Sequence, residues 1–96
     1  GIAHITGGGI IENIPRIIPE GLCARINIDD IKIPNIMLEC EKRGDIERHE
    51  MFGTFNMGVG MVVVLDNNLA DQVLEILLDT YTIEETVDNE EKIILN

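Results

Sequence analysis

The chain has 96 residues, enough for one small domain whose core stays marginal unless something covers it. Eighteen acidic against seven basic side chains leave a formal charge of −11, which argues against nucleic acid and anionic membrane as partners, since both call for a basic face. Aromatics are 3% while Ile occurs seventeen times, so the core must be aliphatic.

The charge is uneven. Residues 1–65 carry six basic and nine acidic side chains, residues 66–96 one and nine. The tail is expected to be solvated acidic surface, and any anion site belongs in the first two-thirds. Cys23 and Cys40 lack disulfide-framework or metal-ligand spacing and are expected reduced and packed, as in a cytoplasmic protein. The longest apolar run, residues 61–65, is too short to span a bilayer. No signal peptide is visible, and the opening Gly1-Ile2-Ala3-His4 suggests a chain cut from something longer.

In chain order, residues 2–5 suit a short strand, which Thr6-Gly7-Gly8-Gly9 interrupts because consecutive glycines lose too much entropy in regular structure. Residues 10–18 carry helical apolar spacing with Pro15 inside. Two short turns are therefore expected, Pro15 opening the second, where a missing N–H is harmless. Residues 22–28 alternate as a half-buried strand, with Leu22, Ala24, Ile26 and Ile28 on one side. A helix is expected over 34–43, with Ile33, Ile36, Met37 and Cys40 inward and Gly44 ending it. Another short helix is expected over 45–52. Residues 57–65 give the strongest strand signal, with both faces covered. Asn68 and Asp71 suggest a cap for a helix reaching about residue 79. Residues 80–87 and 92–95 could close as a hairpin. The order predicts an α+β fold (an α/β sandwich): one mixed, largely antiparallel sheet of about four strands, with helices packed on a face.

Three segments could carry chemistry. In the first, His4 to Gly9, glycines let the backbone approach a ligand and present amides to an anion, with a hydroxyl from Thr6 and an imidazole from His4. The alternative is a plain strand-to-helix turn; neither a Walker loop nor a dinucleotide fingerprint is present. The second is Glu12, Asn13 and Arg16: Glu12 suits a helix start, Asn13 is a poor helix former that could bind something, and Arg16 could meet a phosphate or Glu20. The third, residues 50–61, holds both phenylalanines, read as core, and Asn56, Gly58 and Gly60, read as backbone shaped around a partner or ligand. His49-Glu50 reads better as an exposed coincidence than as an acid/base pair. The adjacent acids supply no convergent metal set.

His4-Ile5-Thr6-Gly7-Gly8-Gly9, then Glu12-Asn13-Ile14-Pro15-Arg16 and Pro19, resembles one signature of the phosphoribosylformylglycinamidine cyclo-ligase (aminoimidazole ribonucleotide synthetase) family. Glu50-Met51-Phe52, Thr54-Phe55-Asn56 and Gly58-Val59-Gly60-Met61 resemble its second. Two long motifs in the right order are far more specific than one glycine turn. The resemblance covers roughly residues 1–78 and the later half of the family's C-terminal domain. By this resemblance residues 1–96 are a partial C-terminal domain, without the N-terminal ATP-binding domain and the start of the C-terminal one. It departs at Gly53, where a basic or polar residue is usual, at Ile83-Glu84, where Ile-Gly is usual, and in a shorter connection before Tyr81.

The resemblance implies an ATP-dependent ring closure in purine biosynthesis. The formyl oxygen of formylglycinamidine ribonucleotide is phosphorylated, an amidine nitrogen attacks that carbon, and ADP and phosphate leave. ATP and Mg²⁺ belong to the full enzyme, a homodimer with its site between two domains; none is expected on this chain alone. Thr6, Gly7, Gly8 and Gly9 would take the ribose phosphate or formylglycinamidine end, with Asn13, Arg16, Asn56 and Gly58 as further substrate contacts. His4 is the candidate for proton transfer. Implied partners are the substrate, the missing N-terminal domain or a separate subunit, and a second copy of the chain, because free strand edges invite pairing. The chain is expected to be inactive alone. The alternative is a non-catalytic ribose-phosphate-binding or assembly module. A thiamine-phosphate kinase or selenophosphate synthetase relative fits the two motifs less well.

Overall fold

The computed structural model describes residues 1–77 and the strand backbones at 86–88 and 93–95. β1 (Ile2–His4) is short because the glycines follow it. Helix α1 (Gly9–Asn13) then runs straight into a 3-10 turn, Ile14–Ile17. Pro15 sits in the first positions of that turn, as its missing N–H requires. β2 (Leu22–Ile26) follows, then a 3-10 turn at Ile28–Asp30, where the Asn27 side chain accepts from the Asp29 amide. Helices α2 (Asn35–Gly44) and α3 (Arg48–Thr54) precede β3 (Met61–Val63) and α4 (Asn67–Ile76). The last strands are β4 (Thr86–Asp88) and β5 (Ile93–Leu95).

The α+β class stands as expected, but the strands form two sheets instead of one. β1 pairs antiparallel with β3, Ile2 opposite Val63 and His4 opposite Met61. Bonds from Val64 N to the Gly1 carbonyl (2.8 Å) and from Ile5 N to the Gly60 carbonyl (2.9 Å) extend this ribbon. β2 is the centre of the second sheet, with β4 antiparallel on one side and β5 parallel on the other. The Ile14–Ile17 turn touches both β1 and β2, bridging the sheets where a continuous one would have joined them. The expected closing hairpin is therefore corrected: β4 and β5 flank β2 and do not pair with each other. Residues 78–85, 89–92 and 96 lie outside the described residues, and with them the end of the expected helix near 79, the rest of that hairpin and the departures at Ile83-Glu84 and before Tyr81.

Among the described residues the core is aliphatic apart from Phe52. Ile5, Ile10, Ile14, Ile18, Met51, Phe52, Met57 and Val62 are buried together, and Phe55 packs against them. Other expectations shift. The strand expected over 57–65 shrinks to three residues because Met57 and Gly58 have positive φ (54° and 93°), which breaks an extended run. Its faces are not both covered: Val62 is buried, whereas Met61 and Val63 are exposed. In α2 the expected inner stripe is only partly inward. Met37 is half-buried, but Ile36 is 70% exposed and Cys40 is exposed, so only Cys23 of the two cysteines is packed. An ion pair ties α2 to α3: Arg48 grips Glu41 through Nε and through Nη2 at 2.8 Å. Gly44 is the last residue of α2, and Asp45 takes the left-handed position after it (φ 49°). The helix expected over 45–52 starts later, at Arg48. α4 begins after Asp66 with no side-chain cap bond, so Asn68 and Asp71 do not cap it.

Candidate functional site

Alternation along β1 sets the first motif. Ala3 and Ile5 are buried, so His4 and Thr6 face solvent on the other side. The His4 imidazole has no hydrogen-bond partner among the described residues. Gly7 is exposed and Gly8 half-buried. Gly8 adopts φ 91°, which turns the chain sharply into α1.

Gly9 is different. It is buried, and its amide donates to the Thr6 carbonyl at 3.0 Å. A Cβ there would lie 1.9 Å from the Phe52 carbonyl oxygen and 2.7 Å from that of Phe55. This glycine lets the start of α1 sit on the end of α3; it does not offer an open amide to a ligand.

Asn13 is likewise turned inward, 4% exposed. Its Nδ2 donates to the carbonyls of Gly9 (2.7 Å), Gly7 (3.2 Å) and, more loosely, Thr6 (3.5 Å), while its Oδ1 accepts from Arg16 Nη1 at 3.3 Å. The direct substrate contact expected of Asn13 gives way to a role inside the turn, because its polar atoms are already engaged and shielded. The exposed Arg16 guanidinium keeps its remaining N–H groups toward solvent.

The second motif lies against the first. Ile5 bonds Gly60, and Gly9 touches the carbonyls of Phe52 and Phe55, so β1 with its turn is braced by residues 52–60. Asn56 opens a tight turn: its carbonyl accepts from the Val59 amide (3.0 Å) and its Oδ1 from the Gly58 amide (2.9 Å). Positive φ at both Met57 and Gly58 fits the hairpin-type turn that favours glycine. A Cβ at Gly58 would come within 2.9 Å of the Lys32 carbonyl and of Pro34, so Gly58 serves close packing on the 32–34 segment. The structure thus brings the two motifs together, with His4, Thr6, Gly7 and Arg16 open to solvent, Gly8 half-buried, and Gly9, Asn13 and Gly58 holding the frame.

Two features escaped the sequence reading. The Glu12 carboxylate lies across Gly8: a Cβ at Gly8 would be 2.1 Å from Glu12 Oε2. The four-residue spacing from Gly8 to Glu12 was the available signal. On the outer side of α1 and α3, an open groove of about 600 Å³ is lined by Ile11, Ile46, His49, Glu50, Gly53 and Thr54. It gathers the His49-Glu50 pair but none of the glycine turn. Among the described residues, no three His, Cys, Asp or Glu side chains converge as metal donors. Nor is any described helix long and apolar enough to cross a membrane.

A glycine turn braced by a second motif, in an α+β frame, defines the class of the protein. Residues 1–86 match the family described as AIR synthase related protein, C-terminal domain, and the chain belongs to that family. It is 48% identical over 99 aligned residues to phosphoribosylformylglycinamidine cyclo-ligase of Thermoanaerobacter sp. (strain X514), covering 99% of this chain and 30% of that protein. It is 51% identical over 77 residues to the cyclo-ligase of Finegoldia magna (80% of this chain, 23% of the relative). For Geobacter sulfurreducens the figures are 46% over 74 residues, 77% and 21%. The chain therefore spans less than a third of the length of these relatives.

Proposed function

We propose that this chain supplies the sugar-phosphate side of a phosphoribosylformylglycinamidine cyclo-ligase site, in an ATP-dependent closure of the imidazole ring during purine biosynthesis. The observation that carries the reading is the open turn at Thr6, Gly7 and Gly8, whose free amides and hydroxyl are the donors a phosphate takes. Arg16, one turn into the helical segment, adds the nearest positive charge. His4, exposed and unbonded beside Thr6, moves the proton between substrate and solvent. By the family resemblance, ATP and its Mg²⁺ are held elsewhere in the full enzyme. The chain alone binds substrate without turning it over. The outer face of the β1–β3 ribbon, with Ile2 65% and Met61 61% exposed, meets further polypeptide, most simply a second copy. The setting is the cytoplasm.

Calorimetric titration of the chain with formylglycinamidine ribonucleotide tests this. Saturable binding, weakened in Thr6→Ala and unaccompanied by ATP-dependent cyclisation, is the expected result. No heat at millimolar ligand removes the sugar-phosphate role, and turnover by this chain contradicts the placing of the nucleotide elsewhere. Sedimentation showing only monomer at micromolar concentration overturns the second-copy contact. A non-catalytic ribose-phosphate-binding or assembly module is the second reading, supported by the short span against the relatives. It predicts the same binding but no activity when the chain is combined with the rest of a cyclo-ligase.

A further inference from the structure

Asn13 is the buried polar residue among the described ones, and it sits directly beneath the glycine turn. The peptide groups of the turn are trans, so in each the carbonyl and the N–H point in opposite directions. The Gly7 carbonyl shares a group with the Gly8 N–H, and the Thr6 carbonyl with the Gly7 N–H. Asn13 Nδ2 draws the Gly7 carbonyl inward at 3.2 Å and, with the Gly9 amide, the Thr6 carbonyl. Both N–H groups are thereby turned away from Asn13, and neither has a hydrogen-bond partner among the described residues, while the Glu12 carboxylate lies against Gly8 and must move for an anion to reach it. Arg16 fixes the sense of the carboxamide: its donor at Oδ1 leaves Nδ2 for the carbonyls.

We infer that Asn13 is a positioning residue that aims the Gly7 and Gly8 amides outward as a paired anion donor and itself touches no ligand. The identity of the anion rests on the function proposed above; the orientation of the amides does not. A carboxamide is the side chain of this size that can do it. Aspartate has the same shape, but when ionised it has no proton to donate and would face the carbonyl oxygens.

The test uses nitrogen-resolved magnetic resonance of the whole chain with ribose 5-phosphate as probe. In the unliganded wild type, the Asn13 side-chain amide should exchange on the order of a hundredfold more slowly than a free carboxamide. Fast exchange overturns the inference whether or not the probe binds. Where the wild type binds, shifts should centre on the Gly7 and Gly8 amides. Asn13→Asp should then weaken binding by about tenfold or more near neutral pH, the effect of losing one well-aimed bond to a charged group. Acidification should narrow the gap, because the carboxyl group of that variant regains one donor when protonated. A merely structural role would give no such pH-dependent rescue. Undiminished binding in Asn13→Asp, or a gap unchanged by pH, overturns the inference. Should that variant not fold, the wild type decides: slow exchange at Asn13 together with probe-induced shifts centred on the Gly7 and Gly8 amides supports the inference, and shifts centred elsewhere overturn it. A wild type that ignores the probe while Asn13 remains protected removes the proposed function and leaves the amide orientation standing.

Discussion

Gly9→Ala is the sharpest probe of how the two motifs are joined. The new methyl would start 1.9 Å from the Phe52 carbonyl oxygen and 2.7 Å from that of Phe55, both backbone atoms of the α3 end. Relief requires α1 and α3 to part by about 1 Å, and overpacking of that kind costs about 1–3 kcal/mol. The backbone also holds φ +61°, a left-handed setting that costs an L-residue about 1–2 kcal/mol more. The sum, about 3 kcal/mol, is a large share of the stability of a domain this size and converts to a fall of roughly 15 °C in Tm. Gly7→Ala is the control. Nothing lies within 4 Å of its Cβ position, so its melting should stay within about 0.5 kcal/mol of wild type. Thermal denaturation followed by circular dichroism compares the two. A Gly9→Ala chain that melts within about 3 °C of Gly7→Ala refutes the close approach of α1 to α3.

Glu12→Gln removes the carboxylate lying across Gly8 and should tighten ribose 5-phosphate binding severalfold at low salt, the gain shrinking as salt screens it; weaker binding would show that Glu12 recognises a cationic part of the ligand instead. The hydrogen bond from Arg48 holds the Glu41 carboxyl below its ordinary pKa of 4.5. A folded-state pKa depressed in this way contributes stability above the unfolded value and loses it as pH falls through the folded one. The Tm difference between wild type and Glu41→Gln should therefore be present at neutral pH and vanish in acid, and a difference that grows in acid would contradict the pairing. Thiol titration should find Cys40 reacting at once and Cys23 only on unfolding; equal rates would place Cys23 outside the core.

Much of the local structure was legible. Pro15 opening a second turn and the glycines breaking β1 follow from backbone chemistry alone, and the chain obeys them. What could not be read was which residues face solvent and which face the core. Gly7 and Gly9 look alike in sequence, yet one meets open space and the other the carbonyls of residues more than forty positions away. Asn13, a poor helix former in a helical stretch, was read as able to bind something; its amide instead meets the carbonyls of the turn itself. The covered strand over 57–65 misled for a similar reason. Met61-Val62-Val63 is uniformly apolar, and period alone does not reveal that one face of a two-stranded ribbon is left outside. Ile36 shows the same limit on a helix.

The two motifs need each other for a mechanical reason. A three-residue strand that soon runs into three glycines has little to hold it by itself. Its turn is held from below by Asn13, from the side by the α3 carbonyls, and along its edge by Gly60. Where segments press together backbone to backbone a Cβ would block the contact, which is why glycine stands at positions 9 and 58. The amides at 7 and 8 are then preorganised by contacts beneath the turn, with the Glu12 carboxylate lying across Gly8, so a ligand meets donors already aimed once that side chain moves aside. Rigidity in the frame and openness at the rim follow from the same packing, and weakening any brace should loosen ligand contact before it unfolds the core.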